Sequence, residues 1–257
     1  MIRKLNRNEK KVVVLGGSSG IGKAAAQRFA KEGWEVLVAA PDIDNVKNVV
    51  AGLTGENHQA LQLDVTRPAD LEQLHTYIEK DFFPLHAIVN SIGISKSVEV
   101  VQSDFEEWDS LLQVMMYGVI KATRMLIHFL VNGGRIVNVT SIHWNRVAKG
   151  SSSYGMAKAA ITQFTRSLAV ELAQKNILIN AVAPGFVNTG MSVKEDGRNE
   201  LDSEWFKDNY VKNDHLPLKR AAEPEEIAGV IWFLCGPDSS YITGSVITVD
   251  GGLTITF

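Results

Sequence analysis

The chain has 257 residues, 45% of them hydrophobic, and a formal net charge of −3. This size allows a substantial core, and we expect residues 1–257 to form one domain. The weakly acidic balance gives no global electrostatic reason to bind nucleic acid or an anionic membrane. No apolar run approaches the roughly 20 residues of a membrane span, and the basic N-terminus lacks the apolar segment of a secretory signal.

Cysteine usage is typical of a protein from a reducing compartment. Cys235 is the only cysteine, so an internal disulfide cannot form. It stands in the apolar run IWFLC, where buried packing is more common than reactivity. We therefore expect a cytoplasmic protein with no nucleic-acid partner, no membrane partner and no metal site.

Short runs rich in valine and isoleucine alternate with amphipathic stretches along the chain. The predicted strands lie at 11–17, 35–40, 58–64, 86–91, 134–141, 177–184 and 245–252. The predicted helices lie at 21–32, 45–53, 68–82, 103–130, 154–175 and 224–235. This alternation predicts an α/β fold with a doubly wound, seven-stranded parallel sheet and helices on both faces. Ligands of such sheets bind at the carboxyl ends of the strands.

A glycine-rich turn, GGSSGIGKAAA, follows the first predicted strand. Backbone N–H groups can approach a phosphate there because glycines leave no side chain in the way, and the next helix starts with its positive end toward it. Its position between an apolar strand and an alanine-rich helix predicts dinucleotide binding. The predicted contacts are Gly16, Ser18, Ser19, Gly20, Ile21 and Gly22.

The end of the second predicted strand should contact the adenine ribose. An acidic residue there binds a 2′-hydroxyl, whereas a basic residue receives a 2′-phosphate. The chain reads Ala40, Pro41, Asp42, without a lysine or arginine. This favours NAD slightly over NADP, with Asp42 as the hydroxyl partner. The alternative, which we weigh slightly higher, is that Asp42 is a solvated N-cap of the following helix.

Two segments, YGVIK at 117–121 and YGMAK at 154–158, place a tyrosine four residues before a lysine. These positions share a helix face, and a nearby ammonium favours the phenolate, which would make the tyrosine a general acid or base. Tyr154 opens a helix after a strand that ends near Ser141, thirteen residues upstream. Tyr117 lies inside an apolar helix with no strand before it, which is typical of packing or a subunit contact. The sequence therefore predicts that Tyr154 is the reactive tyrosine.

At these residues the chain resembles the short-chain dehydrogenase/reductase family, including its 3-oxoacyl-[acyl-carrier-protein] reductases and sugar dehydrogenases. The likeness runs from Lys11 to Gly252 and includes the glycine turn, LDV, NSIG, Ser141, Tyr154, Lys158, APGFVNT and TGSVITVDGG. It implies a Rossmann-type domain that transfers a hydride between NAD or NADP and an alcohol or carbonyl carbon.

The resemblance also implies residue roles. Tyr154 would exchange the proton with the substrate oxygen, Ser141 would bind that oxygen, and Lys158 would hold the ribose and lower the tyrosine pKa. The remaining implied cofactor contacts are Asp64, Val65, Asn90, Gly93, Pro184, Gly185, Val187 and Thr189. Asp64 and Thr189 have an alternative interpretation as ordinary loop caps.

Three places depart from the family pattern. Leu15 replaces a threonine before the first glycine, and Ser91 and Ile92 replace the asparagine and alanine of NNAG. Met115 replaces an asparagine that anchors a water leading to the active-site lysine, and a thioether cannot donate a hydrogen bond. Two hypotheses therefore stay open: an NAD(P)-dependent alcohol dehydrogenase or ketoreductase, and a cofactor-binding protein with a regulatory or structural role.

Substrate contacts are expected from the residues after Ser141. His143 could bind a hydroxyl or carboxylate, and Trp144 could line an apolar slot, although either could simply pack beneath a lid. The polar segment 186–220 is long for a connection and predicts a substrate lid or a surface insertion. By resemblance we expect a homotetramer or homodimer paired through the helices at 103–130 and 152–175.

Overall fold

The computed structural model describes residues 10–94, 96–194 and 196–256. Its centre is a sheet of seven parallel strands in the order β3-β2-β1-β4-β5-β6-β7. The strands are β1 (Lys11–Leu15), β2 (Glu35–Ala40), β3 (Gln59–Gln62), β4 (Leu85–Asn90), β5 (Leu130–Val139), β6 (Leu178–Pro184) and β7 (Val246–Val249). The predicted fold class is confirmed, because every predicted strand forms and every pair is parallel.

Helices cover both faces of this sheet. They are α1 (Gly20–Lys31), α2 (Ile43–Ala51), α3 (Pro68–Tyr77), α4 (Phe105–Leu112), α5 (Val119–Leu126), α6 (Ser152–Glu171), α7 (Glu204–Phe206) and α8 (Pro224–Cys235). A π-helical stretch, Gln113–Gly118, joins α4 to α5, so the helix predicted at 103–130 is interrupted by a widened turn. Among the described residues, no helix has the length and hydropathy needed to span a membrane.

The sheet is buried on both faces because successive side chains of each strand point to opposite sides. Val12 and Val14 of β1 belong to one apolar cluster, while Val13 and Leu15 belong to the other. Cys235 lies in the first cluster, and burial raises the pKa of its thiol to about 12. The expectation that this cysteine packs rather than reacts agrees with that position.

The strand order brings the predicted motifs to one edge of the sheet. The chain runs outward from β1 to β2 and β3, then returns to place β4 on the other side of β1. The loops after β1 and β4 therefore diverge at the carboxyl edge and leave a crevice, where ligands of doubly wound sheets bind. The loops after β5 and β6 reach the same edge.

The segment at 186–220 carries its own short helices, including α7 and a π-helical stretch at Lys207–Lys212. An aromatic cluster holds it together: the ring centroids of Phe186 and Phe206 lie 4.9 Å apart, and those of Phe186 and Tyr210 lie 4.7 Å apart. These contacts give the segment an apolar centre despite its polar composition.

Candidate active site

The glycine turn after β1 is closed too tightly to accept side chains. Gly16 has a φ of +76°, and a Cβ built on it would lie 2.6 Å from the Ser91 carbonyl oxygen. A Cβ on Gly22 would overlap the carbonyl oxygen of Gly16. A Cβ on Gly20 would lie 3.1 Å from Cγ2 of Thr189, which brings the predicted contact from beyond β6 to this turn.

The N-terminus of α1 has the features of an anion site. Its N-cap, Ser19, is extended, and no side chain of the described residues caps the first turn. The first turn also carries no acidic residue. The N–H groups and the positive end of the helix dipole therefore remain available for a negatively charged group. With the glycines, this arrangement fits the pyrophosphate of a dinucleotide.

Asp42 is the N-cap of α2, as the alternative interpretation anticipated. Its Oδ1 accepts hydrogen bonds from the backbone N–H groups of Asp44 and Asn45, both at 3.1 Å, and its Oδ2 accepts one from Asn45 Nδ2 at 2.7 Å. The carboxylate still stands directly after β2, so it contributes negative charge at this end of the crevice. Its role as a ribose partner stays a prediction.

Other predicted cofactor contacts also have local partners. Asp64 Oδ1 accepts hydrogen bonds from the N–H and hydroxyl of Thr66 at 2.9 and 2.6 Å. Thr189 Oγ1 accepts one from the N–H of Met191 at 3.3 Å. The Asn90 side chain is buried; its Nδ2 donates to Thr123 and Asn138, while its Oδ1 has no hydrogen-bond partner among the described residues. Val65 and Val187 are buried, and Pro184 and Gly185 stand at the end of β6.

Ser141, Tyr154 and Lys158 meet at the carboxyl end of β5. Ser141 follows that strand by two residues, and its hydroxyl is near enough to the Tyr154 phenol to lower the pKa of that phenol. Lys158 Nζ lies 5.6 Å from the Tyr154 ring centroid and donates to the Val139 carbonyl oxygen at 3.1 Å. A Cβ on Gly93 would lie 3.9 Å from this Nζ. The structure therefore brings the three predicted catalytic residues together beside Gly93.

Burial is the main influence on the pKa values of Tyr154 and Lys158. It raises the pKa of the Tyr154 phenol, and the Ser141 hydroxyl opposes that change. It lowers the pKa of Lys158 to about 8. Ser141 supplies the influence that acts against burial here, and the effect of Lys158 on the tyrosine pKa stays a prediction.

The side chains of His143 and Trp144, both predicted substrate contacts, have different neighbours. The His143 ring meets the Tyr154 ring edge-on at 5.6 Å, and its Nδ1 is buried without a hydrogen-bond partner among the described residues. Burial lowers the pKa of this imidazole. The Trp144 ring lies 5.3 Å from the Arg166 guanidinium, on a different side of α6 from Tyr154. Both rings line a cleft of about 590 Å³ that also contains Met156 and Ala159.

Met115 lies in the π-helical stretch and is only 1% exposed. It packs in a small apolar cluster with Leu111, Leu112, Ala157 and the partly buried Tyr154. A side chain without a hydrogen-bond donor therefore occupies the position where the resemblance implies an asparagine. The thioether supplies packing at this position beside Tyr154.

Comparison with known proteins gives the same family from independent directions. Residues 16–254 match a family model described as enoyl-(acyl carrier protein) reductase. A mouse 3-oxoacyl-[acyl-carrier-protein] reductase is 36% identical over 249 residues, which cover 96% of this chain and 99% of that protein. The chain belongs to the short-chain dehydrogenase/reductase family. It is therefore an oxidoreductase with a nicotinamide-cofactor fold.

Solved structures of the family have the same architecture. A mutant short-chain dehydrogenase/reductase from Serratia marcescens superposes with a TM-score of 0.86 at 30% identity, covering 95% of this chain and 98% of that one. A mutant actinorhodin polyketide ketoreductase, solved with NADPH, also has a TM-score of 0.86, at 27% identity, and covers 96% and 98% of the two chains. The likeness to this family therefore extends over nearly the whole fold.

One backbone group of the site, the carbonyl of Val139, was not predicted from the sequence. The Val139 carbonyl receives the Lys158 ammonium, a backbone role that no side-chain pattern signals. Met191 comes from the segment at 186–220, and its Cε would lie 2.9 Å from a Cβ on Gly93. In the sequence, the position of Met191 shortly after the APGFVNT segment indicates that it lies near the cofactor crevice.

Proposed function

We propose that this protein is an NAD(P)-dependent ketoreductase that reduces 3-oxoacyl thioesters or related ketones. The observation that carries the proposal is the grouping of the Ser141 hydroxyl with the partly buried Tyr154 phenol, with Lys158 Nζ 5.6 Å from the Tyr154 ring centroid. Two neighbouring hydroxyl groups can bind one substrate oxygen, which favours a carbonyl group over a carbon–carbon double bond as the reacting centre. The mouse relative named for 3-oxoacyl reduction supports the thioester class.

The proposed roles follow from the protonation states. Because burial raises the Tyr154 pKa, its phenol is protonated at neutral pH and can give a proton to a carbonyl oxygen. The Ser141 hydroxyl orients that oxygen and donates a hydrogen bond to the developing charge. The Lys158 ammonium is positioned to stabilise the phenolate that remains and to hold ribose hydroxyls. When bound, the nicotinamide supplies the hydride.

NAD is the proposed cofactor, with NADP as the alternative. The Asp42 carboxylate next to β2 would repel a 2′-phosphate, and the chain has no cation in the SSG segment or at Ala40–Pro41 to receive one. The NADPH in the actinorhodin ketoreductase structure shows only what that protein binds. Separate fluorescence titrations with NADH and NADPH test this choice.

A cytoplasmic homodimer or homotetramer is the proposed form of the protein. The lone, buried Cys235 is compatible with a reducing compartment. Phe105, Tyr117 and Met156 are exposed on the two helical stretches predicted to pair, at 69%, 45% and 53%. Such apolar surface favours association, and analytical ultracentrifugation measures the outcome.

A second candidate function is cofactor binding without efficient catalysis. Met115 favours it, since this side chain cannot anchor a water in a proton path. The retained Ser141, Tyr154 and Lys158 favour the enzyme, because transfer of a proton between phenol and substrate needs only these groups. Turnover separates the two candidates.

Reduction of a 3-oxoacyl thioester is the direct test. With NADH, we expect acetoacetyl-coenzyme A to be reduced with kcat in the ordinary range of about 1–10³ s⁻¹, followed by loss of reduced-nicotinamide absorbance. A simple ketone and a sugar serve as comparison substrates. NADH binding without turnover of any of them would reject the ketoreductase in favour of the cofactor-binding candidate.

The affinity for NADH should weaken progressively above about pH 8. Lys158 has a pKa lowered to about 8, so its ammonium is present below that pH and is lost above it. A neutral amine donates more weakly to ribose hydroxyls, and the dissociation constant rises as the proton is lost. Lys158→Met should bind NADH weakly at every pH, whereas Lys121→Met, which changes the other Y-x-x-x-K lysine, should keep the wild-type profile. The same pH profile in Lys158→Met and wild type would contradict this assignment.

A further inference from the structure

We propose that Asn138 is a positioning residue that fixes α6, and with it Lys158 and Tyr154, against the end of β5. The expected effect of Asn138 on turnover rests on the proposed function. The structural content of the inference, the position of the lysine, does not depend on turnover.

The evidence is a buried polar network in the centre of the fold. Asn90 Nδ2 donates to Thr123 Oγ1 at 2.9 Å and to Asn138 Oδ1 at 2.6 Å. Asn138 Nδ2 donates in turn to Thr165 Oγ1 at 2.8 Å. The four side chains are each at most 2% exposed. They connect β4, β5, α5 and α6, the elements that surround the catalytic cluster.

Asn138 is the member that joins the sheet to the catalytic helix. Its side-chain Oδ1 accepts a hydrogen bond from Asn90 in β4, and its side-chain Nδ2 donates one to Thr165 in α6. Leu168 and Ala169 of α6 pack in one apolar cluster with strand residues, and such contacts are non-directional. A buried amide–hydroxyl bond has a narrow optimum in distance and angle, so it can define the position of the helix along the strand.

The network lies directly beneath the catalytic residues. Val139, next to Asn138 in the chain, supplies the carbonyl that receives the Lys158 ammonium. Ser141 follows two residues later, and Thr165 lies two helical turns beyond Lys158. A displacement of α6 relative to β5 therefore changes the distance between Lys158 Nζ and the Val139 oxygen. It also changes the distance between the Ser141 and Tyr154 hydroxyls.

The chain contains a matched pair of threonines for the test. Thr162 and Thr165 are both buried on α6, and each hydroxyl donates to the backbone carbonyl four residues earlier at 2.8 Å. Of these two, Thr165 alone receives the Asn138 amide. Substitution by valine removes the same hydroxyl from both sites, and only Thr165→Val also removes the contact with Asn138.

The experiment measures the pKa of Lys158 by NMR of isotopically labelled lysine in the full-length, cofactor-free protein. Lys158→Met assigns the signal. In Thr165→Val we expect the Lys158 pKa to move from about 8 toward its ordinary value, because the amine loses its buried position. Thr162→Val should leave it unchanged, and Thr165→Ser, which keeps the hydroxyl, should restore it.

Turnover supplies the catalytic readout. We expect Thr165→Val to lower kcat on the order of tenfold with little change in the KM for cofactor, and Thr162→Val to stay within about twofold of wild type. An unchanged Lys158 pKa in a folded Thr165→Val overturns the proposal. If that pKa moves while the wild type reduces no ketone, Asn138 still positions the lysine and the proposed ketoreductase function fails instead.

Discussion

Replacing Tyr154 with phenylalanine is expected to lower kcat by about 10³-fold. The ring would remain to pack against His143, 5.6 Å away, and beside Met115, so the local apolar contacts persist. The variant loses the phenolic hydroxyl and its proton, and with them the interaction with Ser141. General acid catalysis by a positioned side chain contributes about 10²–10⁴-fold, and the Ser141 hydroxyl, which orients the substrate oxygen, is not the proposed proton donor.

The measurement compares kcat and NADH affinity in Tyr154→Phe with those in Tyr117→Phe. Tyr117 belongs to the other Y-x-x-x-K segment and is 45% exposed on the π-helical stretch. The same chemical change there should leave turnover within about twofold, since mutations of exposed side chains away from a site have small effects. Both variants should still bind NADH. Full activity in Tyr154→Phe would refute the proposed proton donor, and a loss confined to Tyr117→Phe would exchange the two tyrosines.

The fold was largely predictable because parallel strands are buried on both faces. Their sequences are short, uninterrupted apolar runs such as VVVL in β1 and VLVAA in β2, which the alternating helical patterns set apart. Right-handed crossovers favour a doubly wound sheet with its crevice at the carboxyl ends of the strands, whereas the observed strand order was not predicted. The meeting of Ser141 and Tyr154 could be predicted for the same reason, since the end of one strand and the start of the next helix share an edge.

The sequence could not predict the direction in which a side chain points or the surroundings that set its pKa. Trp144 follows His143 by one residue, yet its ring turns toward Arg166, twelve residues beyond Tyr154 on α6. The raised pKa of Tyr154 depends on the apolar cover that Met115 and its neighbours provide, a tertiary property. Asp42 could be described only as a choice between two roles, because capping and ribose binding use the same carboxylate after the same strand.

Gly22→Ala is expected to destabilise the protein by about 3 kcal/mol and to abolish measurable NADH binding. A Cβ at this position would overlap the Gly16 carbonyl oxygen and approach the Gly17 Cα at 3.0 Å. Both neighbours are backbone atoms of the turn, so they cannot move aside as a flexible side chain would. Relief requires α1 to shift away from the turn, and overpacking of this kind costs about 1–3 kcal/mol or more. The shift also removes the helix N-terminus from the place where a pyrophosphate would bind.

Gly229→Ala is the matched control, because it adds the same methyl group inside a helix. A Cβ on Gly229 in α8 meets no described atom within 4 Å. Alanine is favoured over glycine in a helix interior by about 0.5–1 kcal/mol, so this variant should be slightly more stable and bind NADH normally. Thermal unfolding gives the stability difference, and fluorescence titration gives the affinity. If Gly22→Ala unfolds at the wild-type temperature and binds NADH as well as Gly229→Ala, the close approach of α1 to the turn is not what forms the dinucleotide site. The cofactor would then have to bind through the loops after β4 and β6, where Gly93 and Gly185 stand.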